Sequence, residues 1–329
     1  MKRTFTYPIH HEMAGMTIQS FLKQQQYSSQ VITHLKRTPD GICRNGVWAR
    51  VHEVLQSGDL LTISIVEETS SEHIVPVPLP FPIVYEDEDL LVINKPSGMP
   101  IHPSQGNYEN TLANAAAYYF ASQNIPFTYR CINRLDRDTT GLLIIAKHMY
   151  SASLLSNMVA KREIHREYLA AATGLVEESG MIEAPIGRAN GSTIERCVDF
   201  AHGDYACTHF HRLAYQNGYS LVSLKLETGR THQIRVHMAS LGHPLLGDTL
   251  YHENVFKEDS INIPGQLTGR KNSKEKLFTR AALHAWKLIF YQPFTVKKII
   301  LEAPMPADFR SFFGNMATEP KRNILQGGE

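Results

Sequence analysis

The sequence predicts an α+β fold: a central mixed β-sheet with helices, preceded by a small N-terminal α/β unit. Three observations carry that expectation. Strand-like and helix-like segments follow one another without the regular alternation of a parallel sheet. Pro76, Pro78, Pro80 and Pro82 alternate through a Glu- and Ser-rich stretch and divide the chain in two. The 329 residues, 43% of them hydrophobic, exceed one average domain and supply two cores. The expected organisation is residues 1–66, a linker at 67–82, a main domain at 83–312 and a polar tail at 313–329.

In the N-terminal unit, Met13, Ile18, Phe21 and Leu22 have the spacing of a short amphipathic helix. Ser28 and Ser29 are caps for a second helix, which buries Val31, Ile32 and Leu35 and carries Lys36 and Arg37 in its last turn, where positive charge suits the helix dipole. Residues 42–50 read as a hairpin about Asn45-Gly46, because this pair accepts the positive φ angles of a type I′ turn. Gly58-Asp59 then turns into a strand over 60–66. The prolines make 67–82 an extended segment without internal hydrogen bonds.

In the main domain, 83–95 reads as a hairpin around the polar turn 86–89, closed by Lys95-Pro96-Ser97-Gly98. Residues 111–123, with Asn110 or Thr111 as cap, and 151–161 read as helices. Residues 142–146 form a buried strand, and further strands are expected at 166–172, 208–214, 221–226, 288–291 and 297–301. Residues 228–231 form a turn and cap for a helix that buries Ile234, Met238 and Leu241 and sets His232 and Arg235 on one face. Residues 254–276 are polar and aperiodic and read as an insertion loop, without the Gly-Lys-Ser/Thr ending of a phosphate-binding loop.

Composition excludes several classes of function. The longest apolar runs, such as 141–146, fall far short of the ~20 residues a membrane span needs. Lys2 and Arg3 have no apolar stretch behind them, so the N-terminus does not read as a signal peptide. The expectation is a cytoplasmic protein, and a monomer, since no large apolar pattern asks for a partner. Cys43, Cys131, Cys197 and Cys207 are isolated and read as free thiols; no metal site is expected, because the sixteen histidines form no zinc motif. A net charge of +1 gives no global signal for nucleic acid, but five basic residues, Lys23, Lys36, Arg37, Arg44 and Arg50, face only Asp40 between residues 20 and 50.

The order of helix, basic helix, Asn-Gly hairpin and Gly-Asp turn resembles the alpha-L RNA-binding motif of ribosomal proteins and RNA-modifying enzymes. In the main domain, Arg134, Asp136, Arg137 and Asp138 crowd immediately before an apolar strand, with Lys147 after it. That segment, with Lys95-Pro96, Gly98, His102-Pro103, Arg166-Glu167-Tyr168, residues 228–237 and 241–248, and Leu283-His284-Ala285, is similar to the RluA-type family of pseudouridine synthases. The resemblance covers about residues 83–309.

The resemblance implies the pseudouridine synthase fold, with its central mixed sheet mainly antiparallel, and isomerisation of uridine in RNA without a cofactor. It implies that Asp136 attacks the target, since a carboxylate is both an adequate nucleophile and a good leaving group. Arg235 matches the arginine that pairs with this carboxylate, Tyr168 the tyrosine that stacks on the flipped uracil, and Arg134 the residue that fills the gap left in the RNA helix. Lys147, Arg230, Lys36, Arg37 and Arg44 are expected RNA contacts, while His232, His237 and His284 are read as structural. Asn133 and Arg166 depart from the His and Lys of many relatives, which is taken to bear on substrate detail. The expected partner is a structured RNA, foremost large-subunit ribosomal RNA, with transfer RNA second. Two other classes stay open: a non-catalytic RNA-binding assembly factor, and a glycoside hydrolase using Asp136 and Asp138, which requires both carboxyls in one cleft.

Overall fold

The computed structural model describes residues 1–251 and 278–314. Its N-terminal elements are β1 (Lys2–Pro8), α1 (Ile18–Gln24), α2 (Ser29–Arg37), β2 (Ile42–Arg44), β3 (Val47–Trp48) and β4 (Leu60–Val66). The order in their sheet is β1-β4-β2-β3, and β1 runs antiparallel to β4 over its whole length. Sequence reading assigned no strand to Lys2–Pro8. Met13 also falls outside α1, on the short turn His11–Met13, because Gly15 at φ +86° breaks the chain between them. Thr17 caps α1 and Ser28 caps α2, each accepting a backbone N–H three residues on. Asn45 at φ +54° and Gly46 at φ +80° make the expected turn, and Asn45 also donates to Asp59 and accepts from the Leu60 N–H.

Residues 67–82 hold neither strand nor helix, yet they are fastened along the next core. Asn114 donates to the Val75 carbonyl and accepts from the Val77 N–H through its own, at 2.8 and 3.1 Å. The expectation of no internal hydrogen bond fails at Leu79, whose N–H donates to Val77 at 2.8 Å.

The main domain contains β5 (Ile83–Glu86), β6 (Leu90–Lys95), α3 (Leu112–Ala121), β7 (Thr140–Ala146), α4 (Met149–Ala160), β8 (His165–Thr173) and β9 (Ser179–Glu183). A small hairpin, β10 (Ile186–Arg188) and β11 (Arg196–Val198), precedes β12 (Cys207–Gln216), β13 (Tyr219–Leu226) and α5 (Gln233–Ser240). The last elements are β14 (Leu283–Tyr291), β15 (Lys298–Glu302) and α6 (Ala307–Phe313). Among the described residues the main sheet has the order β5-β6-β7-β14-β8-β13-β12-β9, with β15 on β14; only β7 and β14 pair in parallel. The fold is therefore α+β with a mixed, mostly antiparallel sheet. Strand β14 starts at Leu283, five residues before the apolar run used to place it, and α6 carries buried Phe313 beyond the expected boundary at 312. The expected insertion loop and nearly all of the expected tail lie outside the described residues.

The two parts share a core. Tyr150 and Leu154 of α4 pack into the N-terminal cluster, and Tyr150 stacks on Tyr27 with ring centroids 3.7 Å apart. Beside them Arg3 Nε and His148 Nε2 both lie within 3.0 Å of Asp89, whose side chain is 3% exposed. Burial raises the Asp89 pKa, but His148 and Arg3 outweigh it and hold the carboxyl below its ordinary range. Gln292 donates to the other Asp89 oxygen at 3.0 Å, so the group is fully enclosed.

Candidate active site

Asp136 sits on the loop between residues 131 and 139, and that loop is held from both sides. Asn133, 3% exposed, accepts the Ile144 N–H at 2.8 Å and donates to the Leu142 carbonyl. These two bonds seat the loop on β7, and Asn133 also belongs to the lining of the cavity described below. On the far side Lys95, fully buried, donates to the carbonyls of Arg137, Pro96 and Met99 at 2.8 to 3.0 Å. Burial pushes the Lys95 pKa down to about 7, opposed by Asp138 and Asp136. Behind the loop Gly141 adopts φ +114°, and a Cβ there would lie 2.1 Å from the Ala285 carbonyl oxygen. This glycine lets β14 approach β7, which aligns the ends of the strands that flank the site.

Arg235 comes from α5. The preceding turn differs from the expected cap: His232 is the N-cap, at φ +58° and without a side-chain cap bond, while Gln233 reaches back to accept from the Arg230 N–H and Thr228 hydroxyl. Ile234 and Met238 are buried, but Leu241 lies past the helix end and is 44% exposed, so the apolar face ends one turn early. Arg235 Nη1 donates to Asp136 Oδ2 at 3.3 Å. Its Nε and Nη2 donate to the two oxygens of Asp248 at 2.7 and 2.8 Å, and Asp248 is fully buried.

His232 faces the same carboxylate, with Nε2 3.9 Å from Asp136 Oδ2. Its Nδ1 is hydrogen-bonded to the Tyr251 hydroxyl at 2.8 Å, and the Arg235 guanidinium lies 5.0 Å from the Tyr251 ring centroid. Burial lowers the His232 pKa below its usual value, which favours a neutral imidazole beside the ion pair.

Tyr168 on β8 completes the wall. It is 4% exposed, and burial is the largest cause that raises its pKa, so the phenol keeps its proton at neutral pH. Two positions before it, Arg166 leans over Gly229, and its Nε is buried without a hydrogen-bond partner. Together these residues line a cavity of about 260 Å³ with Arg134 exposed at its edge. The cavity combines two partly exposed carboxylates, Asp136 and Glu227, with four arginines and a tyrosine face, an arrangement suited to a flat polar ring on an anionic chain.

Asp136, Tyr168, Arg235, Arg134 and Arg230 all line this one cavity. Lys147 does not: it lies past the other end of β7 and donates to Glu86 and the Asp87 carbonyl. Arg44 is engaged within its own domain, by Asp59 at 2.6 Å and the Val54 carbonyl, whereas Lys36 and Arg37 are exposed. Asp138 pairs with neighbouring Arg137 and does not line the cavity, so Asp136 and Asp138 do not share the cleft that a glycoside hydrolase using that pair requires. His237 and His284 are buried against Thr208 and Thr140. Sequence reading missed His232, Arg166, Asp248 and Tyr251 as members of the site. No metal was expected; among the described residues, Cys207, His209 and Glu227 bring donor atoms within 4.8 Å, where Glu227 also pairs with Arg162 at 2.6 Å. No helix among the described residues is long and apolar enough to cross a membrane.

The chain is similar to known proteins. The profile of the RNA pseudouridylate synthase family matches residues 89–240. An uncharacterized RNA pseudouridine synthase of Bacillus subtilis is 36% identical over 294 residues, covering 89% of this chain and 96% of the relative. Ribosomal large subunit pseudouridine synthase D of Pasteurella multocida is 39% identical over 252 residues, 74% of each chain. Among solved structures, human RNA pseudouridylate synthase domain containing 1 aligns with a TM-score of 0.54 and 28% identity, over 71% of this chain and 86% of that one.

Proposed function

Because this chain belongs to the RNA pseudouridylate synthase family, we propose that it isomerises uridines of large-subunit ribosomal RNA in the cytoplasm, with Asp136 as nucleophile. The target class follows the names of relatives such as that of Pasteurella multocida. The observation that carries the mechanism is the contact at 3.3 Å between Arg235 Nη1 and Asp136 Oδ2, inside the cavity that Tyr168 lines.

The uridine must leave its stack to reach Asp136, and Arg134 at the cavity edge is placed to occupy the vacated position. Asp136 attacks the nucleotide, the bond between ribose and base nitrogen breaks, the uracil turns, a carbon–carbon bond to the ribose forms and the carboxylate is released, the proton lost from that ring carbon being balanced by one taken up at the freed nitrogen. Covalent attachment divides one difficult step into two easier ones. Arg235 aims the carboxylate. Tyr168 supports the ring during its turn, and its neutral hydroxyl assists loss of the proton from the new carbon linkage. The exposed Lys36 and Arg37 on α2 supply a second contact for a structured RNA.

Asp136→Asn tests the assignment. It should abolish product on unmodified ribosomal RNA transcripts while leaving RNA binding within a few-fold, and retained pseudouridine formation would refute the nucleophile. Mapping pseudouridines in total RNA of a deletion strain against its parent identifies the nucleotide.

A further inference from the structure

A second cavity, of about 420 Å³, adjoins the catalytic one, and Gly229 and Arg230 belong to the walls of both. Its opposite wall is the β10–β11 hairpin. There Arg188 and Arg196 stand directly across from each other in the antiparallel register. Like charges at such positions repel and destabilise a two-residue pair unless an anion lies between them. Arg188 is exposed and makes no ion pair or side-chain hydrogen bond among the described residues. Arg196 donates from Nη1 to two nearby carbonyls, which fixes its direction. Arg230 brings a third guanidinium from the shared wall, and the carboxylate in the lining is Asp204, 71% exposed and 3.2 Å from Arg230.

We propose that this cavity is a phosphodiester subsite, which holds a backbone phosphate of the RNA strand next to the nucleotide entering the catalytic cavity. The inference rests on the RNA-modifying reading above and extends it. Three guanidiniums around an open polar space match a phosphate, whose oxygens accept several N–H donors at once. The shared Arg230 wall places that phosphate adjacent to the reacting nucleotide along a continuous chain. Asp204 occupies Arg230 when no RNA is bound and yields it to the phosphate. A mechanical link also runs from this cavity to the nucleophile. The Arg196 N–H donates to the Tyr251 hydroxyl at 3.0 Å, Tyr251 holds His232, and His232 faces Asp136.

The test measures binding of the full chain to unmodified large-subunit ribosomal RNA transcripts across a salt series, with pseudouridine formation by the parent protein assayed on the same transcripts. Arg188→Ala should weaken binding about five- to tenfold and lower the salt slope by about one contact, whereas Arg188→Lys should restore most of both. Asp204→Asn should act oppositely and tighten binding, because it frees Arg230. If the parent forms product but Arg188→Ala leaves affinity and salt slope unchanged, or Asp204→Asn weakens binding, the subsite is wrong and the function stands. If the parent forms no product while Arg188→Ala still weakens binding, the function is wrong and the phosphate subsite stands.

Discussion

Asp248 grips Arg235 along one edge of the guanidinium, at 2.7 and 2.8 Å, and leaves Nη1 on the other edge to meet Asp136 at 3.3 Å. The shorter, two-pronged contact is therefore with the fully buried carboxylate, which does not line the cavity. Asp248 also accepts the N–H groups of Leu250 and Tyr251, so its own position is fixed by backbone. Asp248→Asn should lower single-turnover pseudouridine formation by roughly 10- to 100-fold through misplacement of Arg235, with RNA affinity nearly unchanged. Breaking a buried pair should also cost about 3 kcal/mol or more, visible in urea unfolding. A stable variant with the parent rate would show that Arg235 needs no second anchor.

Tyr168→Phe separates the ring from its hydroxyl. The stacking face is retained, so RNA affinity should change little, while loss of the proton relay should slow product formation about 100-fold or more. The raised pKa places this group on the protonated side throughout the neutral range, so no activity limb near pH 7 should vanish in the variant. A rate within a few-fold of the parent would reduce Tyr168 to a stacking surface.

Gly141→Ala probes the approach of β14 to β7. The added methyl meets backbone at 2.1 Å and φ is +114°, so neither rotation nor a side-chain shift relieves the clash. The expected loss is on the order of 3 kcal/mol or more. Thermal unfolding checks it, and a melting temperature equal to the parent's would contradict the close approach.

His284 makes stability depend on acid. It is 1% exposed, and burial pushes its pKa down to about 4 from 6.5. The unfolded chain binds this proton more readily than the folded one, so stability is complete above pH 6.5 and falls as pH drops toward about 4. The span corresponds to about 3 kcal/mol from this group. His284→Gln should flatten the slope of unfolding free energy against pH in that window; an unchanged slope would assign acid sensitivity elsewhere.

Sequence reading found elements whose signals are local. The continuous apolar runs of β6 and β7, the Asn45-Gly46 turn and the Ser28 cap each declare themselves within a few residues. It missed β1 because a seven-residue strand bearing two basic residues has no contrast until β4 pairs with it, some sixty residues later. Asp136, Arg235 and Tyr168, which line one cavity, were singled out through resemblance. The second carboxylate was not, because the role of Asp248 arises only when a turn brings it against α5. His232 was read as structural for a similar reason: its left-handed backbone, which aims the ring at Asp136, leaves no mark in composition.

The buried contact of Arg3 and His148 with Asp89 has a further consequence. A tethered recognition arm would sample many spans and tolerate many RNA shapes. An arm welded to the enzyme acts as a calliper: the exposed end of α2 and the catalytic cavity stand at one set distance. If α2 contacts RNA as proposed, an RNA is then selected by the interval between two of its surfaces as well as by the bases at either.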